Sequence, residues 1–397
     1  MVDAILVLNA GSSSIKFALL PAQDGKARLA SGEVENIGTT PHLKIRAGTE
    51  IVLEQMFAPE QKLSHEALLG AVLHWVEDHL GDNRLLAVGH RIVHGGTMFF
   101  DPVRLDAASL SRLAKLNELA PLHEPHNLAA VHAAMALRPH LPQIGCFDTA
   151  FHHHMPELAS RLPLPRHFYD EGVRRYGFHG LSYEYIAARL REIAPHLAGG
   201  RVIAAHLGNG ASLCAMQGGV SVDSTMGFTA LDGLVMGTRC GALDPGALLY
   251  LLQSRGMTAG DVSDLLYKQS GLLGVSGLSA DVRTLLASAA PPAAEAVDLF
   301  AYSAAKHIAA LGSALGGLDG LVFTAGIGEH APAVRAAICA RLGWLGVELS
   351  AEANAANEAI ISAVTSRVEV RVIPTDEEAM IARHCRALLS KQEAAAF

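Results

Sequence analysis

Cysteine is scarce in this chain of 397 residues: Cys146, Cys214, Cys240, Cys339 and Cys385 are odd in number, widely scattered and without CxxC spacing. That excludes a disulfide ladder and fits a reducing compartment. No Lys/Arg-rich block is present, and a net charge of −8 with a pI near 6.2 argues against nucleic acid as a partner. Any phosphate must then be met by local groups rather than by a broad basic field. No apolar run reaches membrane-spanning length, and Met1-Val2-Asp3 carries no basic region followed by a long apolar core. The expectation is a cytoplasmic protein with no membrane partner. Charged residues make up only 18% against 50% hydrophobic, which excludes disorder. The mean hydropathy of +0.26 reflects abundant Ala, Leu and Val, as in buried parallel strands with many helices. The length exceeds one ordinary domain and suggests two, each with its own core.

What is present begins with two similar stretches half a chain apart. Ala4 to Leu8 is apolar, breaks into Asn9-Ala10-Gly11-Ser12-Ser13-Ser14 and resumes at Ile15-Lys16-Phe17-Ala18-Leu19. Val202 to Ala205 breaks into His206-Leu207-Gly208-Asn209-Gly210-Ala211-Ser212 and resumes at Leu213-Cys214-Ala215-Met216. Each reads as a hairpin whose tip gathers small residues and backbone N–H groups, a surface that suits phosphate. The pair suggests a duplicated fold holding a nucleotide's phosphates between its halves.

Further along, the pattern predicts strands to about Phe57, a helix over 64–79, a strand over 85–93, helices at 109–119 and 126–137, and a strand at 143–147. The second half repeats the mix: a hairpin at 201–217, helices near 246–253 and 292–315, a strand at 321–324, a helix from 332 and a strand at 368–373. Val297, Phe300, Ala301, Ala304, Ile308, Leu311 and Leu315 form one apolar stripe at helical spacing. The Pro291-Pro292 step before it reads as a loop. Strand–helix alternation after consecutive strands means α/β, with a mixed sheet in each half.

Arg91, in Gly89-His90-Arg91-Ile92-Val93-His94-Gly95-Gly96, falls where a strand gives way to a glycine loop, a position suited to an anion or to an ordinary surface arginine. Arg239 ends the long glycine-punctuated loop from Met226, which either covers something or is simply packed. Gly326-Ile327-Gly328-Glu329 follows a strand but lacks the third glycine of a dinucleotide fingerprint, and Gly11 to Lys16 lacks the P-loop's second glycine and hydroxyl. His152-His153-His154 cannot chelate together from a helix and read as a solvated run, while Leu122-His123-Glu124-Pro125-His126 is broken by proline, so no zinc site is expected. His123 and His179 fit better as donors to a phosphoryl oxygen, or as structural histidines.

Together these segments resemble the acetate kinase family, within the superfamily of sugar kinases, actin and heat-shock chaperone ATPases. The matching motifs are the Asn9 to Lys16 hairpin, Gly89 to Gly96, Pro121 to Asn127, Phe147-Asp148-Thr149-Ala150-Phe151-His152, Arg175 to Gly180, His206 to Ser212, Met236-Gly237-Thr238-Arg239, Gly326 to Glu329 and Thr375-Asp376-Glu377-Glu378. They run in order over nearly the whole chain. The resemblance implies two duplicated actin-like (ribonuclease H-like) domains with an interdomain cleft: residues 1–148, then a nucleotide-binding 149–375, with a last helix, 376–397, packing back on the first. It also implies a homodimer, and reversible phosphoryl transfer between ATP and acetate to give acetyl phosphate and ADP. A carboxylate nucleophile is already ionised at neutral pH, so such catalysis is positioning and charge neutralisation.

Carried over by resemblance, the catalytic set is Asp148, Arg91, His179, Arg239 and His123. Arg91 would hold the carboxylate, while Arg239 and His179 would stabilise the transferring phosphoryl oxygens. Asn9 and Glu377 match the family's positions for Mg²⁺, for which Mn²⁺ can substitute. Lys16, Ser12, Ser14 and the tip His206, Leu207, Gly208, Asn209 and Gly210 would meet phosphates; Asp281, Val282, Arg283, Gly326, Ile327, Gly328, Glu329 and His330 would form the adenosine side. Val93, Leu122, Phe178 and Ala230 match the pocket for the acyl methyl. Ala230 stands where the family commonly has proline, which leaves room for propionate. Asp376 and His330 replace residues that the family pattern leads one to expect as asparagine. Rival readings are a propionate or other short-chain carboxylate kinase, a kinase of hydroxyl substrates such as sugars, and an ATP-switched binding protein of the actin or chaperone type.

Overall fold

Ala4–Ala10 (β1) reads AILVLNA with no polar alternation, the pattern of a strand covered on both faces, and it lies inside an eight-stranded mixed sheet. The structure is a computed structural model that describes residues 2–395 apart from 12, 24, 26, 121 and 122, with backbone alone at 392–395. The chain divides into two units, one of Met1–Ala150 with Asp376–Phe397 and one of Phe151–Thr375.

In the first unit β1 is followed by Ile15–Pro21 (β2), Ala30–Glu35 (β3), His42–Ala47 (β4), Glu50–Met56 (β5), Leu85–Ile92 (β6), Val103–Arg104 (β7) and Gln143–Phe147 (β8). Their order is β5-β4-β3-β2-β1-β6-β8-β7. β1 to β5 form an antiparallel meander, whereas β1, β6 and β8 run parallel. The carboxyl ends of those three strands therefore share one side of the sheet, where ligands of open α/β sheets bind. The outermost strand, β5, is exposed and carries Glu50 and Glu54, charges that discourage edge-to-edge pairing. Helix His65–Leu80 starts at Ser64, whose hydroxyl accepts from the Ala67 N–H, and buries Leu68, Leu69, Val72, Leu73 and Val76 against β1 and its neighbours. The last helix, Glu377–Ala395, packs on β1, β2 and β6. It comes so close that a Cβ on Gly89 would meet Ile381 Cγ2 at 2.5 Å and Cys385 Sγ at 2.7 Å, so only glycine fits there.

The second unit repeats the plan with Arg201–Leu207 (β9), Ala211–Gln217 (β10), Val220–Ser224 (β11), Gly320–Thr324 (β12) and Glu369–Val372 (β13), in the order β11-β10-β9-β12-β13. β9, β12 and β13 are parallel, so Leu207, Thr324 and Val372 end on one side. Helix Pro291–Leu315 carries the apolar stripe, with Phe300, Ala301, Ala304, Ile308, Leu311 and Leu315 buried. It begins at Pro291, so the two prolines open the helix instead of forming a loop; an N1 proline has no N–H to lose.

Other expectations need correction. The helix expected over 109–119 is Ala107–Ala114, begun by a reciprocal Asp106–Ser109 cap and continued as a 3-10 turn at Lys115–Glu118. His152 is buried rather than solvated: Nδ1 lies 2.8 Å from Ser221 Oγ and Nε2 is 3.0 Å from the Phe178 carbonyl oxygen. Burial lowers its pKa to about 4 and keeps it neutral. Of the three, His153 and His154 are the exposed ones.

Candidate active site

Arg91 on β6 and Asp148, the residue after β8, form a forked ion pair. Nε donates to Oδ1 at 3.0 Å and Nη2 to Oδ2 at 2.6 Å. Glu377, at the start of the last helix, brings Oε2 to 3.6 Å from Nη1 of the same guanidinium. Burial disfavours the charge of Arg91, but the carboxylates of Asp148 and Glu377 outweigh it and push the pKa above its usual value. Asp148 takes the Nε/Nη2 edge, so the Nη1/Nη2 edge is the one turned toward a second carboxylate. Glu378, next in sequence, turns instead to Arg28, 3.7 Å away, and burial raises its pKa.

Asn127, on helix Glu124–Leu137, ties this corner to the first hairpin. Its amide donates to the Ala10 carbonyl at 2.7 Å and accepts from the Val93 N–H at 3.0 Å. The Gly95 N–H donates to Thr149 Oγ1 at 3.0 Å, and the His94 N–H donates to Glu124 Oε2 at 3.1 Å. Glu124 is fully buried, and among the described residues its Oε1 has no hydrogen-bond partner. Burial raises its pKa to about 8, so at neutral pH it is a neutral acid. Asn9, next to last in β1, pairs with Lys16, which is exposed; Ser14 accepts through its carbonyl from the Gly11 N–H at 2.8 Å. His123 stands at the start of helix Glu124–Leu137. Ser12 and Leu122 lie outside the described residues.

In the second unit His179 holds a left-handed backbone, φ 57°, directly before helix Gly180–Ile193, a strained position for a residue with a side chain. Its ring stacks on His206 with centroids 4.1 Å apart. Arg239 donates to the Ala230 carbonyl at 2.7 Å. The tip of the second hairpin receives both groups: a Cβ on Gly210 would meet Arg239 Nη2 at 3.3 Å and His179 Nε2 at 3.4 Å. Gly208 N–H donates to the Gly210 carbonyl, closing the tip at 3.1 Å, and Gly237 N–H donates to the Asn209 carbonyl at 3.0 Å. The long loop before Arg239 is thus packed onto the hairpin.

The residues expected on the adenosine side lie on two segments of the second unit. Asp281 caps helix Val282–Leu286 and pairs with Arg283 at 2.6 Å on the surface. The side chain of Val282 is buried, as is that of Leu207 at the end of β9. Gly326 to His330 lie in a short helix, Ala325–His330, not in an open loop. Glu329 Oε1 explains the helix by accepting from the Ala325 N–H at 2.8 Å and the Thr375 N–H at 3.2 Å. Behind it, the fully buried Arg335 donates from Nη1 to the carbonyls of Gly328 (2.9 Å) and Glu329 (3.0 Å), and its Nε reaches Asn354 Oδ1 at 2.8 Å. Of the acyl-pocket residues, Val93 lies in the first unit, and Phe178, buried, and Ala230, half-buried, in the second.

Sequence reasoning missed Asn127, Glu124, Arg335, Ser212 and Tyr183. The only signal was a motif neighbour in the first two and in Ser212; nothing one-dimensional marks Arg335 or Tyr183.

The sequence profile of the Acetokinase family matches residues 4–383. The chain is 52% identical over 390 residues to an acetate kinase of Rhodopseudomonas palustris, covering 97% of this chain and 98% of that one. Among solved structures, acetate kinase of Porphyromonas gingivalis superposes with a TM-score of 0.86 at 38% identity, covering 98% and 100% of the two chains. A propionate kinase from Francisella tularensis gives 0.90 at 36% identity, covering 96% and 98%.

Proposed function

This chain belongs to the acetokinase family, it transfers a phosphoryl group from ATP to acetate, and we propose that its two units each serve one part of that reaction. The first unit receives the carboxylate: acetate occupies the outer edge of Arg91 while Asp148 holds the other edge. The second receives the phosphates: Asn209 and Gly210 offer backbone N–H groups at a tip that the Gly208 N–H closes, and Arg239 and His179 donate to the oxygens of the transferring group. A carboxylate oxygen then bonds to the γ-phosphorus as the bond to the β–γ bridging oxygen breaks, and ADP leaves with that electron pair. No proton has to move, so Asp148 acts by orienting Arg91. The observation that carries this reading is the contrast between Arg91, clamped by carboxylates, and Arg239 with His179, converging on Gly210.

The family's reaction uses ATP and a divalent metal. We assign Mg²⁺ to Asn9 and Glu377. Their oxygens suit a hard cation, and among the described residues no cluster of three His, Cys, Asp or Glu gathers, which suits an ion held largely by water and phosphate. Bound there, it would neutralise phosphate charge. Lys16 and Ser14 would assist at the phosphates, and Asp281, Arg283 and the Ala325–His330 helix at the nucleoside. We also assign the chain to a cytoplasmic homodimer. Helix Pro245–Gln253, PGALLYLLQ, buries no residue within its own chain, and a second copy would cover it; Leu249→Glu would then give monomers by light scattering.

A second reading, turnover of propionate, is favoured by the small Ala230 and by the Francisella neighbour. Trapping the acyl phosphate with hydroxylamine, using Mg-ATP and acetate, propionate or butyrate in parallel, tests both. Rapid hydroxamate from acetate supports the main reading, a higher rate with propionate supports the second, and none from any acid overturns both.

A further inference from the structure

His179 is held from behind by two hydroxyls that no role in the reaction yet explains. Its Nδ1 lies 2.8 Å from Ser212 Oγ on β10, and Ser212 Oγ lies 2.5 Å from the hydroxyl of Tyr183, one turn along the helix that His179 precedes. Ser212 and Tyr183 are both fully buried. A hydroxyl has one proton, so the direction of this chain decides what the imidazole does. If Tyr183 donates to Ser212, Ser212 donates to Nδ1, and the ring proton sits on Nε2, the nitrogen beside Gly210. That is the arrangement a donor to an anionic oxygen requires. In the reverse direction a neutral ring would present a lone pair to the phosphoryl group and repel it.

We propose that Tyr183 and Ser212 are positioning residues that hold neutral His179 as its Nε2–H tautomer. The inference rests on His179 being the phosphoryl donor proposed above. The charged and titratable groups that face the ring include His206, stacked on it from β9, Tyr183 from its own helix and Arg239 from the long loop. His206 has a parallel support, with Nδ1 2.8 Å from Ser182 Oγ, which in turn is 2.9 Å from Thr375 Oγ1. Two stacked imidazoles resist becoming two cations, which makes control of the neutral tautomer matter more.

The test is kcat and the KM for ATP of Ser212→Ala, Tyr183→Phe and His179→Gln, each followed from about pH 6 to about pH 8. Removing Ser212 frees the tautomer of a neutral ring but not of a protonated one, which carries both N–H groups. Ser212→Ala should therefore lower kcat about 10-fold or more at the alkaline end and much less at the acid end, with KM little changed. Tyr183→Phe should show the same pattern more weakly, and the double variant should lose no more than Ser212→Ala alone. A crippled His179→Gln beside unaffected or pH-independent losses in the other two would overturn the tautomer proposal. Near-normal turnover by His179→Gln would instead remove the reading on which it rests.

Discussion

The first hairpin, β1 with β2, and the second, β9 with β10, are both antiparallel pairs closed by a glycine N–H to a nearby carbonyl, yet their surroundings differ. Beside the first, the arginine is already bound by carboxylates, Asp148 and Glu377. Beside the second, the arginine donates to a neutral carbonyl oxygen at a tip that it shares with His179, whose ring stacks on His206. A carboxylate clamp fixes a cation's direction and moderates its pull, which suits a substrate carboxylate that must arrive, react and leave. A carbonyl oxygen fixes direction and adds no full negative charge of its own, which suits the spread negative charge of a transferring phosphoryl group. One duplicated scaffold thus carries two electrostatic settings.

If the contrast is right, Arg239→Ala should do the greatest harm to rate, lowering kcat roughly 10³-fold with an unchanged circular dichroism spectrum. A loss below about 10-fold would break the comparison on the phosphate side. Arg91→Ala should lower kcat/KM for acetate about 10²-fold and also cost roughly 3 kcal/mol of stability in urea, because it removes the forked cationic partner of the buried Asp148 carboxylate. Adding Asp148→Asn should return stability but not activity, which separates the two functions of that pair. Gly210→Ala should be milder, raising the KM for ATP about 10-fold by crowding Arg239 and His179.

The smallest effect concerns pH. Glu124 is neutral when folded, with a pKa near 8, and ionises far more readily when unfolded, where its ordinary value is 4.5. At low pH both states hold the proton and nothing is lost. As pH rises above 4.5 the unfolded state gains, stability falls, and the loss levels off above about 8. Glu124→Gln should therefore melt progressively higher than the native chain across that window, by roughly 5 °C at its upper end. An equal melting temperature at every pH would place Glu124 in contact with water.

Much of this was legible because the residues that carry it announce themselves locally. Gly and Asn at a tip between apolar runs can only turn, so both hairpins could be read, as could the stripe of helix Pro291–Leu315. Short helices were not: Glu157–Ser160, Arg166–Asp170 and Pro195–Ala198 span barely a turn, too short for a period to register. The Ala325–His330 helix was hidden by its glycines, since the glutamate that organises it acts partly through Thr375, distant in sequence. The supports of the candidate site were hidden for the same reason. Ser212 sits on a strand and Tyr183 on a helix, and only folding shows that they meet at His179.

Arg335 gives that short helix an unusual freedom. Its guanidinium ties down the carbonyls of Gly328 and Glu329 from inside, and Asn354 braces it, so the backbone shape does not depend on the outward-facing side chains. His330 is one of these, with 72% of its side chain exposed. Such a segment is evolvable: residues on its outer surface can be exchanged, by selection or by an engineer, while the scaffold beneath keeps its form.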